Sequence, residues 1–282
     1  MSFLQLGYVE PNLFDPIQVV NSLKNTGFCK MQKQENWLIE LIKTVVYALV
    51  LVVGVHTAFY KPFNIPSGSM VPSLLIGDYI FVCKFSYGFS RYSIPFSPDL
   101  FEGRILARDL KRGDVAVFRY PRDLSEDWVK RVIGLPGDLI KVEKGLVYIN
   151  NEPVKLKKVQ ENYSWTSERG KSFVGDLYTE KLPNGVEHYI LKSDPFGEGR
   201  LDDFPERQVP EGYYFMMGDN RDHSNDSRNL NDVGFIAYEY FIGRADLIFF
   251  STQLPTEPGS GWWSFWKWPT STRYSRIIRL IQ

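Results

Sequence analysis

Three short stretches hold residue types that could do chemistry together. "NIPSGSMVPSLLIGD" (Asn64–Asp78) sets two serines, Ser67 and Ser69, among glycine and prolines. Pro66 and Gly68 bracket Ser67, and Pro72 follows Ser69, so the backbone is stiff and cannot run on as a helix. A rigid turn presenting one hydroxyl, with a second two residues earlier, suits a nucleophile with an oxyanion donor; it equally suits the cap of a linker. A nucleophilic serine needs a base, and the chain has three histidines. His56 lies in the most apolar run and His188 in a polar stretch. Only His223, flanked by acids, is placed for a Ser-His-Asp arrangement, and a lone histidine in an acidic loop is more often structural.

A lysine can replace histidine once its amine is neutral. Its ordinary pKa of about 10.4 falls by several units in an apolar pocket. "DWVKRVIGLPGD" (residues 127–138) embeds Lys130 in an apolar run. Strand alternation gives Trp128, Lys130 and Val132 one face and Val129, Arg131 and Ile133 the other, so one of two basic residues must share a face with large apolar side chains. A snorkelling lysine on an edge strand has the same pattern. Pro72, third after Ser69, excludes a helical Ser-x-x-Lys arrangement, so a lysine base must come from elsewhere in the chain. The third stretch is "GDNRDHSNDSR" (residues 218–228). As a calcium loop starting at Asp222 it fails, with Ser227 where glycine is needed and Val233 where glutamate is needed. Within it, Asp226 and Arg228 can pair and Ser224 can orient a neighbouring amine.

These residues need elements to hold them. Short runs rich in β-branched and aromatic residues recur at 78–85, 114–120, 128–135, 139–150 and 213–219, bounded by Gly, Pro, Asp and Asn. They predict a mostly β chain, with hairpin turns at Lys144-Gly145 and Asn150-Asn151. Residues 151–211 are more polar and irregular and read as an insertion between two halves of a core sheet. The expected organisation is an N-terminal segment (1–36), a transmembrane helix (37–60), a catalytic β core (61–138 and 212–255), an inserted subdomain (139–211) and an aromatic tail (256–282). In that tail, tryptophans beside Lys and Arg suit either a bilayer surface or the core.

The span rests on "TVVYALVLVVGVHTAFY" (Thr44–Tyr60), 17 residues without a charge. As helix they cover about 26 Å against a hydrocarbon core of about 30 Å. Starting at Trp37 closes the gap, because Lys43 can snorkel and Trp37 and Tyr60 suit the two interfaces. A cleaved leader fits less well, since a cut after Ala58 would put His56 at a position that wants a small residue. A helix buried in a soluble core is the other alternative. Lys24, Lys30, Lys33 and Lys43 precede the span while only Lys61 closely follows it, which predicts a cytoplasmic N-terminus and an exported remainder. Met31 opens "MQKQENW", which resembles a start for such an anchor and leaves the first thirty residues as an extension.

Composition excludes other classes. Lys plus Arg and Asp plus Glu are 33 each, a net charge of zero that argues against nucleic-acid binding. Cys29 and Cys83 match no metal or redox spacing, and there is no dinucleotide or P-loop glycine signature. No metal or cofactor is expected.

Taken together, "PSGSMVPSLLIGD", "RGDVAVFRYP" (112–121), "DWVKRVIGLPGD" and "GDNRDHSNDSR" resemble the ordered motifs of type I signal peptidase, the bacterial leader peptidase family of membrane-anchored Ser-Lys proteases. The resemblance covers roughly residues 37–250. It implies Ser69 as nucleophile, Lys130 as general base, and an oxyanion hole made by Ser67 with the Ser69 N–H. It implies Ser224 as the hydroxyl that holds the lysine and Asp226 and Arg228 as the braces of that loop. Phe63, Ile65, Pro66, Met70, Leu74, Trp128 and Val129 fall where the family lines pockets for small residues at the cleavage position and two before it. The implied fold is an antiparallel β domain of coiled sheets with a late insertion, sited on the periplasmic side of the inner membrane. The implied partners are preprotein signal peptides and the lipid bilayer; oligomeric state stays open. His223 departs from the family, which usually has Asn there. An imidazolium at that point would disfavour charge on Lys130, or the ring would only fill space. Two rivals are a self-cleaving Ser-Lys repressor protease, which the span and the lack of a basic domain count against, and a non-catalytic membrane-anchored β module.

Overall fold

Alternating β-branched and aromatic residues between glycine, proline and Asx punctuation build antiparallel sheets that bury one face of each strand. The computed structural model describes residues 37–51, 54, 59–93, 103–253 and 268–281. The chain divides into two units, Met1–Val55 and His56–Gln282. In the first, the described residues form helix α1 (residues 37–51), whose apolar side chains, Trp37, Ile42, Tyr47 and Leu51 among them, are exposed. Among the described residues no helix is long and apolar enough to cross a membrane. The expected span also includes residues 52–53 and 55–58, which lie outside the described residues.

The second unit is almost all β. Strands β1 (Tyr60–Asn64), β2 (Asp78–Cys83), β3 (Val115–Arg119), β4 (Asp127–Gly134), β12 (Tyr213–Met217), β13 (Ile236–Ala237) and β14 (Phe241–Ser251) form an antiparallel sheet in the order β1-β2-β14-β3-β4-β12-β13, and β15 (Arg279–Leu280) pairs with β14. Between β4 and β12 the chain adds two smaller sheets. One is ordered β11-β5-β6-β7, from Phe204–Gln208, Leu139–Glu143, Leu146–Ile149 and Glu152–Pro153; the other is β10-β9-β8, from Glu187–Lys192, Ser172–Lys181 and Lys155–Thr166. The two expected hairpin turns are present, with Lys144, Gly145, Asn150 and Asn151 all at positive φ, the backbone that such tight turns require.

The polar run 151–211 holds two long strands that its composition conceals. β8 pairs with β9 through register shifts at Lys158/Gln160 and Gln160/Tyr163, and each shift breaks the alternation by which a strand is read. This region is not packed apart from the main sheet. Ile133 and Phe215 of the main sheet share one core cluster with Ile140, Val147 and Phe204 of the added strands and with Leu182, just past β9. The described part of the C-terminal tail is tied to the same body. Helix α2 (Trp268–Ser271) leads to Arg276, whose Nη2 donates to buried Asp78 at 2.6 Å. Residues 254–267, where Trp262, Trp263 and Trp266 fall, lie outside the described residues, and with them the expected membrane contact of the tail.

Candidate active site

β1 ends at Asn64, and Ile65 closes the next turn: its N–H donates to Asp78 O at 2.8 Å and its carbonyl accepts from Gly77 N at 3.0 Å. This anchors the short 3-10 turn Gly68–Met70 beside the main sheet, with Met70 buried and Ser69 partly exposed. From the other side, Asn220 donates its N–H to Ser69 O at 3.1 Å and its side-chain amide to Gly68 O at 3.0 Å. Two carbonyls of the turn, 152 residues away from Asn220 in the chain at the farther one, are thereby held by one fully buried side chain and its backbone.

β4 delivers the amine. Lys130 stands in register with Ala116 on β3, a small residue. The residue is 4% exposed, with Nζ 2.8 Å from Ser69 Oγ and donating to Val129 O at 3.0 Å. Burial pushes its pKa down to about 8, against the opposing pull of the Asp226 and Asp219 carboxylates. The alternation rule predicted that Lys130 or Arg131 would be drawn inside; both are. Arg131 is fully buried and donates from Nε and Nη2 to the two oxygens of Asp219, each at 2.8 Å. Burial acts to raise Asp219 and Asp226, yet Arg131 and Arg228 beside them hold both carboxyls below the usual range.

The pair lies on a cleft of about 500 Å³ lined in part by Phe63, Ile65, Pro66, Met70, Trp128 and Val129. Ser67 lies on it too, exposed, its Oγ 3.5 Å from Ser69 Oγ. Leu74 does not: it is fully buried in the core with Ile80 and Val82. Trp128 forms a wall, stacked on Tyr120 at 4.2 Å and donating Nε1 to Glu126 at 2.9 Å.

In the third motif, Asp226 accepts from Gly218 N at 3.0 Å and from Arg228 Nε and Nη2 at 2.8 Å each. Ser224 is buried over Gly218, and its hydroxyl, among the described residues, makes no hydrogen bond of ordinary geometry, to Lys130 or otherwise; Asp226 is the carboxyl it bears on. His223 lines the cleft, its ring set edge-on to Phe173 at 4.4 Å and Trp165 at 5.1 Å. The imidazole therefore fills a corner between the third motif and the β8–β9 hairpin.

Asn220, the Arg131–Asp219 pair and Trp165 escaped sequence reasoning. Asn220 and Asp219 sit inside a quoted motif, but nothing in their types says that they face inward. Trp165 presses on Gly68 so closely that a Cβ built there would stand 2.3 Å from its ring. Gly218 is tighter still, for a Cβ would meet Ser224 Oγ at 2.2 Å and Ser69 O at 2.6 Å. Gly218→Ala is expected to displace the Ser69 turn and lower kcat by about 100-fold, the cost of roughly an ångström of misplacement, with far-UV circular dichroism unchanged. Full turnover by this variant would mean that the contact has no bearing on the site.

A hydroxyl touching a buried amine, on a cleft with apolar walls, has the makings of a serine hydrolase. The family model for signal peptidase, peptidase S26, matches residues 38–250. Among similar proteins, signal peptidase I of Rickettsia akari (strain Hartford) is 37% identical over 93% of this chain and 97% of its own. That of Rickettsia massiliae (strain Mtu5) is 38% identical over the same shares. A crystal structure of a signal peptidase I from Enterococcus faecalis V583 matches with 25% identity, 49% of this chain, 97% of that chain and a TM-score of 0.29. The chain belongs to the signal peptidase family, peptidase S26, and so to the serine proteases.

Proposed function

We propose that the chain is a membrane-anchored signal peptidase that cuts exported preproteins after small residues, with Ser69 as nucleophile and Lys130 as general base. The observation that carries this reading is the 2.8 Å contact between Ser69 Oγ and the amine of a lysine that is only 4% exposed. A neutral amine there offers its lone pair to the Ser69 hydroxyl, and burial is what makes neutrality accessible near pH 8. Ser69 Oγ attacks the carbonyl after the small residue while Nζ takes its proton. The oxyanion is held by the Ser67 hydroxyl and the Ser69 N–H. Lys130 then gives the proton to the departing amine, and the same nitrogen activates the water that releases the acyl group. Once Ser69 is acylated, the unpaired Ser224 hydroxyl is available to steady the amine. Asp226 and Arg228 brace its loop.

Phe63, Ile65, Pro66, Met70, Trp128 and Val129 supply the apolar walls against which short side chains of the signal peptide rest. The apolar exposure of α1 supports an anchor through residues 37–60, with the N-terminus cytoplasmic and the β unit on the outer side. Anchoring both enzyme and signal helix in one bilayer raises their effective concentration.

Cleavage of a preprotein in detergent, followed against pH, tests the assignment. Because the working form is the neutral amine, kcat/KM is expected to fall about tenfold per unit as pH drops below about 8, and to level off above it. A profile flat from about pH 6 to about pH 9 would show that no such amine limits the reaction.

A further inference from the structure

Behind Ser69 and Lys130 runs a chain of buried charges, of which the proposed chemistry uses only the last pair, Asp226 and Arg228. Arg131 grips Asp219, whose Oδ1 lies 4.0 Å from His188 Nε2, and that nitrogen is 3.2 Å from Glu180 Oε2. The same Glu180 oxygen accepts from Arg221 Nη2 at 2.6 Å. The Arg221 carbonyl accepts from Arg228 Nη2 at 2.7 Å, and Arg228 holds Asp226. None of these seven side chains belongs to a residue more than 5% exposed. Glu180 and His188 come from β9 and β10, strands added between β4 and β12, so the added sheet reaches under the site.

The charges of this chain balance in a telling way. Three guanidiniums, of Arg131, Arg221 and Arg228, face three carboxylates, of Glu180, Asp219 and Asp226. Burial, reinforced by Arg131, lowers the His188 pKa and keeps the ring neutral. The group is thus neutral without a proton on Lys130, and a charged Lys130 would add a fourth buried cation to three anions. Arg221 is the member with capacity to spare: its Nε and Nη1 make no hydrogen bond among the described residues, and besides Glu180 it feels Asp219 and Asp226, the two carboxylates that bear on Lys130.

We infer that Glu180, resting on the reading of Lys130 as the base, is a positioning residue of the active site. It engages Arg221 so that Asp219 and Asp226 stay committed to Arg131 and Arg228. It thereby keeps the field at Lys130 balanced and the segment 218–221, which holds the Ser69 turn, in place. The cleft beside Lys130 is also lined by Ser67 and Ser69 from the turn, by the carboxylates of Glu126 and Asp127 at the start of β4, and by His223 and Asn225 from the third motif; Ala116, opposite on β3, brings no polar side chain.

The test uses the full chain in detergent with a preprotein substrate, read as kcat and KM against pH. Glu180→Gln leaves one uncompensated cation, so protonation of Lys130 becomes harder. Its acid limb is expected to move down by about one pH unit, with kcat at the plateau lowered and KM within about twofold. Arg221→Gln leaves one uncompensated anion and is expected to move the limb up. The double variant removes both charges and is expected to return to the wild-type limb. A merely structural role would change stability without shifting the limb in opposite directions. Limbs that superimpose on wild type in whichever single variant folds, or a displaced limb in the double variant, overturn the inference. Ser69→Ala, run alongside, separates the two levels: residual cleavage there would sink the reading of the dyad itself.

Discussion

Ser69→Ala and Lys130→Ala are each expected to lower preprotein cleavage by about 10⁴- to 10⁶-fold, because members of a nucleophile–base pair act as a unit and the loss of either stops the chemistry. The two variants differ in cause. Ser69→Ala removes the atom that attacks. Lys130→Ala leaves the hydroxyl in place, yet no other side chain in hydrogen-bond contact with Ser69 Oγ, among the described residues, can take its proton; the neighbouring Ser67 Oγ, 3.5 Å away, is itself an alcohol. Neither change should unfold the chain. Ser69 is partly exposed, and deleting the Lys130 side chain gives up packing but also relieves a buried amine of its desolvation. Thermal melts should therefore stay near wild type while product formation, followed by gel shift of the preprotein, disappears. Lys130→Arg should be equally dead, since a guanidinium does not deprotonate in this range. Retained cleavage by Lys130→Ala would transfer the role of base elsewhere, with His223 as the next group on the cleft.

Asp219→Ala is expected to be the most destabilising substitution outside the apolar core. It strips a fully buried guanidinium of its bidentate partner, leaving Arg131 with only the Gly113 carbonyl at 2.7 Å and the Ser73 hydroxyl at 3.4 Å. Breaking one partner of a buried pair costs about 3–5 kcal/mol, a fall in Tm on the order of 10 °C for a chain of this size. Activity should fall with it, because the Asn220 clamp on the Ser69 turn follows Asp219 directly. The partly exposed pair of Lys61 and Asp127, 3.1 Å apart, supplies the contrast. Lys61→Ala is expected to change stability by at most about 1 kcal/mol, since water already answers much of that charge. Circular-dichroism melts of both variants in one detergent check the comparison. Melting of Asp219→Ala within a degree or two of wild type would mean that Arg131 finds another counter-charge.

Much of this molecule is written in local patterns. The stiff turn around Ser69, the lysine set in an apolar strand and the pairing of Asp226 with Arg228 two residues on are short-range facts. A window of a dozen residues contains them. The main strands are equally local, because alternation and turn residues report how a segment meets a half-buried surface. The register shifts in β8 erase that signal, and there the reading of residues 151–211 as irregular gave way to a long hairpin.

What no window contains is the state of the amine. Whether Lys130 carries a proton depends on how much water reaches it and on carboxylates 89 and 96 positions further along the chain, at Asp219 and Asp226. Leu74 turning into the core, Trp165 pressing on Gly68 and Glu180 balancing Arg221 are of the same kind. The residue types were determined by the sequence alone. Their protonation and their distances were decided by the tertiary structure, because desolvation and Coulomb interaction act through space and are indifferent to separation along the chain.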